Sequence, residues 1–482
     1  MSNDSDIFLL YNLPHDGTFK ILKVEIDANI KYIHIARDPV PTFCPSCGFR
    51  MHSKGINKRK INHPVMQDTT HVYLILHQRR WKCTGCGSEI NESFSFVDRY
   101  AHSSNLVFYY VCEAMKDLSR STASIARQFN MSDTQVHDIF TAHVDMPALP
   151  LSEVISIDEV FLDIDSSCRY ALVIMDFING EIIDILHNRW ENTVERYFLS
   201  IPFEQRKKVK YIISDAYKPY MLYPEKYFPN SHSVLDSFHV IKYLNGMINS
   251  YVNAVMKKYK EIDRKRLEQK NHDTNSDHKT IKDSKEVVLL RDYRWVLLKK
   301  QDEISYSVNN FYSSKLLEVT STHRIIMDFL SLDKNFPKIR DLKEEYIRFN
   351  DHTYDNLDSI EDDLDCLIKK FRAADLDMFR VFADYLSENK SAIIQSFTLI
   401  KVHRKSQKNI AEYYSRLSNG PMESFNRKPK DYKRVSRGFS NFDYTRNRIL
   451  WATRKERPYL GRPKTKDQVH SYRGKKRGKY KK

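Results

Sequence analysis

Two aspartates close apolar runs in the middle of the chain: Asp158 ends VISID and Asp215 ends YIISD. A carboxylate at the point where a strand leaves a sheet stands where α/β proteins place ligands, although a single such Asp is more often a turn residue or a helix cap. Here a hairpin and a crossover helix separate the two, and a later segment, NGPMESFNRKPKDYKR, offers Glu423 among basic residues. Transfer of a phosphodiester uses two divalent cations about 4 Å apart, and hard Mg²⁺ or Mn²⁺ takes several carboxylate oxygens. Three converging carboxylates meet that need. If a helix starts at Pro421, then Glu423, Asn426, Arg427 and Lys430 share one face, with Lys428, Arg434 and Arg437 as further cations for phosphate. Pro429 is expected to kink or end this helix, so the face should not extend beyond Lys428.

Asp236 and His239 of VLDSFHV also follow an apolar run. Capping of the next helix is the first reading for Asp236; an auxiliary place at the metal site, or a DNA contact, is the second reading for the pair. Glu159 points to the opposite side of its strand from Asp158, and Asp163 and Asp165 lie further along the chain.

A second constellation is built from sulfur. Cys44-Pro-Ser-Cys47-Gly and Cys83-Thr-Gly-Cys86-Gly are matched knuckles, in which Gly48 and Gly87 allow the tight turn behind the second thiolate. Four thiolates complete a tetrahedral structural Zn²⁺ site; redox-active CxxC pairs are the competing reading. The long interval between the pairs suits a β-hairpin, since loop closure costs only about 0.6 kcal/mol per doubling of length. Cys112, Cys168 and Cys366 are isolated and read as small buried hydrophobes.

In SIARQFNMSDTQVHDIF, Ile125, Ala126 and Phe129 fit a buried helix face, Asn130-Met131 a turn, and Ser132 the cap of a second helix. That is the pattern of a helix-turn-helix, with an ordinary helical hairpin as the alternative. Asp133, Thr134, Gln135, His137 and Asp138 face outward in this reading, and Thr134, Gln135 and His137 are the candidate DNA contacts.

The elements that must position these groups follow from pattern and composition. With 482 residues the chain exceeds what one core supports, and 41% hydrophobic content with 12 Gly and 16 Pro excludes collagen-like and wholly disordered classes. Lys+Arg 78 against Asp+Glu 62 gives +16, which points to a polyanionic partner. No stretch suits a membrane span or an export signal, so a cytoplasmic, nucleoid-associated protein is expected. The fold class expected is multidomain α+β: a zinc-binding β module over 1–100, the helix-turn-helix over 101–148, an α/β domain over 149–244 and 416–456, a helical insertion over 245–415, and a disordered basic tail over 457–482. Five strands are expected in the α/β domain (VISID, RYALVIMDF, EIIDIL, VKYIISD and SVLD), with a two-residue hairpin turn at Asn179-Gly180. The polar run DRKRLEQKNHDTNSDHKTIKDSK reads as an exposed loop or poorly ordered segment. In the last 22 residues ten Lys or Arg face one Asp.

Taken together, CPSCG, RRWKCTGCG, SIDEVF, IISDAYKPY, VLDSFHVIKYLN and NGPMESFNRKPKDYKRVSRGFSNFDYTRNRIL resemble the ISL3 family of DDE transposases of bacterial insertion sequences, over nearly the whole length. The resemblance implies an RNase H-like catalytic domain with Asp158, Asp215 and Glu423 as its acidic triad, and a helical insertion between the fifth strand and Glu423. It implies cleavage and strand transfer with Mg²⁺ or Mn²⁺ at the ends of an element. The expected partners are double-stranded terminal inverted repeats and target DNA, bound by a homo-oligomer. The alternative is a non-catalytic DNA-binding protein, either a regulator or a decayed transposase.

Overall fold

The computed structural model describes residues 3–14, 17–63, 71–99, 101–274, 283–354, 356–404 and 412–470. Its residues form two compact units, one of residues 1–148, 160–171 and 426–482 and the other of residues 149–159 and 172–425. Among the described residues no helix is long and apolar enough to cross a membrane.

The first unit begins with α1 (Asn3–Leu10) and the strands β1 (Phe19–Asp27), β2 (Ile30–Arg37), β3 (Met51–His63), β4 (His71–Cys83) and β5 (Glu89–Asn91). The period-two pattern of HVYLILHQRRWKC places Val72, Leu74 and Leu76 on one side of β4, where they pack with Ile33, Ile35 and Ile61. The sheet runs β1-β2-β4-β3, with β5 on β4. β3 and β4 pair along their length from Met51↔Cys83 to His63↔Val72, the long hairpin expected between the cysteine pairs. Three helices follow: α2 (Val107–Ala114), α3 (Thr122–Gln128) and α4 (Asp133–His143). Asn130 makes the turn between α3 and α4 with φ 50°.

The second unit is organised by β6 (Val154–Phe161), β7 (Tyr170–Asp176), β8 (Glu181–Leu186), β9 (Tyr211–Ser214) and β10 (His232–Leu235), interleaved with α5 (Glu191–Ser200), α6 (Phe203–Arg206), α7 (Lys218–Met221) and α8 (Tyr223–Tyr227). All five expected strands are present, in the order β10-β9-β6-β7-β8. β10, β9 and β6 are parallel, β7 and β8 antiparallel. The near-continuous apolar runs fit burial on both faces: Ile155, Ile157 and Ile174 pack with Val194 and Phe198 of α5, while Val154, Ile213 and Val234 pack with Val402 and Leu417. The β7–β8 connection departs from a two-residue turn. Residues 177–180 join the strands, because Asp176 pairs with Glu181 and its carboxylate takes hydrogen bonds from the Ile178 and Asn179 amides.

Helices then take over: α9 (Ser237–Thr274), α10 (Lys285–Asp292), α11 (Trp295–Leu298), α12 (Thr322–Ser331), α13 (Phe336–Asp351), α14 (Leu357–Ala373), α15 (Asp377–Glu388) and α16 (Lys390–Gln395). Two small hairpins accompany them, β11 (Phe311–Ser313) with β12 (Glu318–Thr320), and β13 (Leu399–Val402) with β14 (Tyr413–Arg416). The expected boundary at residue 245 falls inside α9. Leu235, Val240 and Leu244 share one core with Phe329, Phe371 and Phe382, so the insertion is not a separate body. The expected polar loop is helical as far as Thr274, because its Glu, Lys, Arg and Gln residues are good helix formers; residues 275–282 lie outside the described residues.

The chain closes with α17 (Gly420–Ser436), α18 (Phe442–Thr453) and α19 (Lys466–His470). α17 passes through Pro429 without ending, contrary to expectation. Burial of Met422, Phe425 and Tyr432 along it offsets the one backbone hydrogen bond that the proline removes. α18 groups with the first unit rather than with the α/β sheet, since Trp451 is fully buried there and its Nε1 donates to the Cys112 carbonyl at 2.7 Å. Disorder from residue 457 does not hold for the first part of the tail. Leu460 and Lys464 donate to the His143 and Ala142 carbonyls and Val469 is buried, so these residues find partners that composition alone does not reveal. Residues 471–482 of the tail lie outside the described residues.

Candidate active site and metal centre

The register of the parallel strands sets the site. Ser156 pairs with Ile213 and Ser214 with Leu235, so counting on along the three strands brings Asp158, Asp215 and Asp236 to one level. Side chains at one level of neighbouring strands point to the same face. Asp215 and Asp236 directly follow β9 and β10; Asp158 lies two residues past the last β9 pair, although β6 itself continues to Phe161. Adjacent residues point the other way, and Glu159 is anchored there by Arg189 Nη1 and Tyr220 Oη, each 2.6 Å from its Oε1.

The tightest group of possible ligands is Asp236, His239 and Glu423, whose donor atoms all lie within 4.8 Å of one another. Asp158 and Asp215 are not members of that set. They join it through His239: the Asp158 carboxyl is acted on electrostatically by both Asp215 and His239. His239 sits in the first turn of α9, and Glu423 sits in the first turn of α17. Asp236 is 2% exposed. Its Oδ1 accepts from the Asn419 amide at 3.0 Å, while its Oδ2 is buried with no hydrogen-bond partner. An ionised oxygen left so costs several kcal/mol unless a cation faces it, so the donor set fits a hard divalent ion. The N-cap position of Asp236 and a ligand role are therefore compatible. Sequence reading missed Asn419, whose amide fixes that carboxylate; its place just before Gly420 and α17 was the available signal.

Burial pushes the Asp158 carboxyl up to about 6; the Glu159 amide opposes this and the Asp215 charge adds to it. Burial likewise raises Asp236, against the Asn419 amide and His239. A raised carboxyl costs no folding energy below the unfolded value, where both states are protonated; the cost grows until pH passes the folded value. With about 1.36 kcal/mol per unit, Asp158→Asn should stabilise the metal-free protein by up to about 3 kcal/mol at pH 8, and the gain should shrink as pH falls from 6 towards 4. Thermal melting of both proteins across that range checks this, and a gain independent of pH would contradict it.

The four cysteines also converge. Cys44 Sγ lies 3.5 Å from Cys86 Sγ, Cys47 Sγ lies 3.4 Å from Cys83 Sγ, and all four sulfurs fall within 4.8 Å of one another. Those separations are too long for disulfides and close to the ~3.8 Å edge of a tetrahedron with 2.3 Å zinc–sulfur bonds. The knuckles repeat in detail. Gly48 and Gly87 have φ 74° and 75°, their amides donate to the Cys44 and Cys83 carbonyls, and the Cys44 and Cys83 amides donate to Phe49 and Ser88. Ser88 pulls the Cys86 thiol down to about 6.

The structure redistributes the candidate DNA contacts. Thr134 is exposed at the start of α4. Gln135 is committed to a capping box, in which its Oε1 accepts from the Ser132 amide at 2.9 Å. His137 is half-buried and stacks on Tyr444 with centroids 4.3 Å apart. Arg427, Lys428, Lys430, Arg434 and Arg437 are exposed, Arg434 pairing with Asp431 at 3.0 Å. Asn426 does not share their face, being 4% exposed.

Two comparisons with known proteins bear on this arrangement. A family model for DDE transposases of the ISL3 type, described as "Transposase", matches residues 155–449, more than half of the chain. The transposase for insertion sequence element IS1001 of Bordetella parapertussis is similar, at 24% identity over 268 residues. That alignment takes in 54% of this chain and 59% of the relative, so less than two thirds of the relative's length is represented.

Proposed function

The chain belongs to the ISL3 family of DDE transposases, and from that premise we propose that it cuts DNA at the ends of an insertion sequence and joins them to target DNA. The observation that carries this reading is the row of Asp158, Asp215 and Asp236 at one level of neighbouring parallel strands, with His239 and Glu423 beside it. The strand order, with two parallel neighbours and an antiparallel hairpin on the other side of β6, supports an RNase H-like reading of the sheet.

Asp158, Asp215, Asp236 and Glu423 are the carboxylates that would hold Mg²⁺ or Mn²⁺. Divalent cations there supply activation of the attacking oxygen and charge neutralisation at the leaving one. The residues do the positioning: the Asn419 amide holds Asp236, the Glu159 amide holds Asp158, and the Arg189 and Tyr220 contacts keep Glu159 on the far face. Hydrolysis breaks one P–O bond at the element end and leaves a 3′-hydroxyl. Attack of that oxygen on a target phosphodiester forms a new P–O bond and releases the target's 3′ oxygen, so no covalent protein intermediate is needed.

The exposed Arg427, Lys428, Lys430 and Arg437 supply phosphate contacts, which position DNA without reading sequence. α3 and α4 act as a helix-turn-helix that presents Thr134, while Gln135 and His137 hold that pair in shape. The cysteine cluster holds structural zinc. Incubation of the full chain with a labelled duplex carrying the element end tests the reading: nicking with Mg²⁺ or Mn²⁺ and little with the larger, loosely coordinated Ca²⁺ is expected. Tight binding of the end without nicking in any of the three ions would instead favour the non-catalytic DNA-binding protein.

A further inference from the structure

A cleft of about 1050 Å³ opens directly beside the carboxylates, and Asp215 and His239 line both. Its long wall is one stripe of α9, in which His239, Lys242 with Tyr243, Gly246 with Met247, and Ser250 recur at helical spacing. The facing wall comes from α15, which offers Met378, Val381 and Tyr385. The site itself demands charge, yet this cleft is lined mainly by rings and thioethers. Tyr217 and Tyr243 are each 40% exposed and Val381 is 52% exposed, so apolar area is left open to water beside a polyanion-binding centre.

Three details narrow the occupant. Gly246 lies within α9, where glycine is a poorer helix former than alanine, and a Cβ built on it meets nothing within 4 Å, so the missing side chain leaves that part of the cleft open. Tyr385 stacks on Tyr243 at 4.3 Å and 27°, and its hydroxyl is buried with no hydrogen-bond partner. Lys242 is exposed and is the one lysine or arginine among the lining residues. Flat rings and a single cation next to the carboxylates match a planar group carried on a phosphate chain.

We propose that this cleft receives an unpaired nucleobase of the strand held at the carboxylates, with the base against Tyr243 and Tyr385 and its phosphate on Lys242. The inference rests on the transposase reading and deepens it, giving the helical insertion a role in opening the duplex beside the scissile bond. Taking a base out of the stack costs unpairing energy, least where the base already lacks a partner. Its volume, at the upper end for small-molecule pockets, accommodates the sugar as well as the base.

The test uses the full chain and element-end duplexes in Ca²⁺, with an abasic site stepped through the positions opposite each nucleotide near the cleavage point. At one or two positions, binding should tighten by about tenfold, because the unpairing cost has been removed in advance. Gly246→Trp fills the cleft and should abolish that gain; Tyr243→Leu should diminish it, and thermal melting confirms that both variants fold. A flat scan from a protein that nicks element ends would overturn the base pocket alone, as would a gain that survives in Gly246→Trp. Failure to nick element ends in any divalent ion would overturn the transposase reading and this inference with it.

Discussion

Alanine at Asp158, Asp215 or Glu423 is expected to slow strand cleavage by at least about a thousandfold, equivalent to roughly 4 kcal/mol on the barrier, while element-end binding changes little. The loss should be large because, on the proposed reading, each carboxylate shares in holding the cation pair that activates the attacking oxygen and neutralises charge at the leaving one. Binding survives because the helix pair and the exposed α17 cations lie on residues assigned to the other unit. Asp236→Ala discriminates between two roles. As a helix cap alone it would cost about 1 kcal/mol of stability and leave cutting intact. With Oδ2 buried and without a hydrogen-bond partner, and with donor atoms of His239 and Glu423 within 4.8 Å, cutting should instead fall as far as in the other three variants. Single-turnover cleavage in Mg²⁺ together with duplex-binding titrations gives both quantities; any variant that cuts at the wild-type rate removes its residue from the site.

Loss of zinc should have the second-largest effect, this time on folding. One zinc ion per chain is expected by elemental analysis, and Cys44→Ser or Cys83→Ser should prevent its retention. Structural zinc contributes on the order of 10 kcal/mol in isolated zinc-finger peptides. Here the cluster closes the end of the β3–β4 hairpin where Met51 pairs with Cys83, with Met51, Trp81 and the partly buried Ile90 as a small local core beside the cysteines. That end should melt first, carrying the N-terminal sheet towards unfolding, with loss of β signal in circular dichroism and a lowered melting temperature. An unchanged melt after complete zinc removal would show that the apolar core around Leu74 and Ile35 holds the module by itself.

The two constellations differ in how far they could be read from the residues. The cysteine knuckles are local objects: CxxCG fixes two sulfurs and the left-handed glycine behind them within five residues, and both copies fold as their spacing requires. Asp158 and Asp215 were readable for a related reason, since each ends an apolar run and a run of that kind becomes a buried strand. Glu423 was reachable as a carboxylate among cations and through the family resemblance of the segment that carries it. Pro429 misled because the rule about proline in a helix speaks of one hydrogen bond and not of the buried side chains around it. Helical periodicity marks His137 as outward when only α4 is considered; Tyr444, more than 300 residues away, supplies the ring that half-covers it.

By itself, then, the sequence determined what is local: strands from apolar runs, caps and turns from Ser132 and Asn130, paired knuckles from the CxxCG repeats, and the chain's own positive balance. Tertiary structure decided everything that depends on pairing across long intervals of chain. The parallel register levels Asp236 with Asp158 and Asp215, Asn419 reaches back 183 residues to hold Asp236, and α15 closes a cleft against α9. Side-chain pattern reports which face of an element is buried, but not which distant element covers it, because many apolar surfaces satisfy the same pattern and only their joint packing selects one.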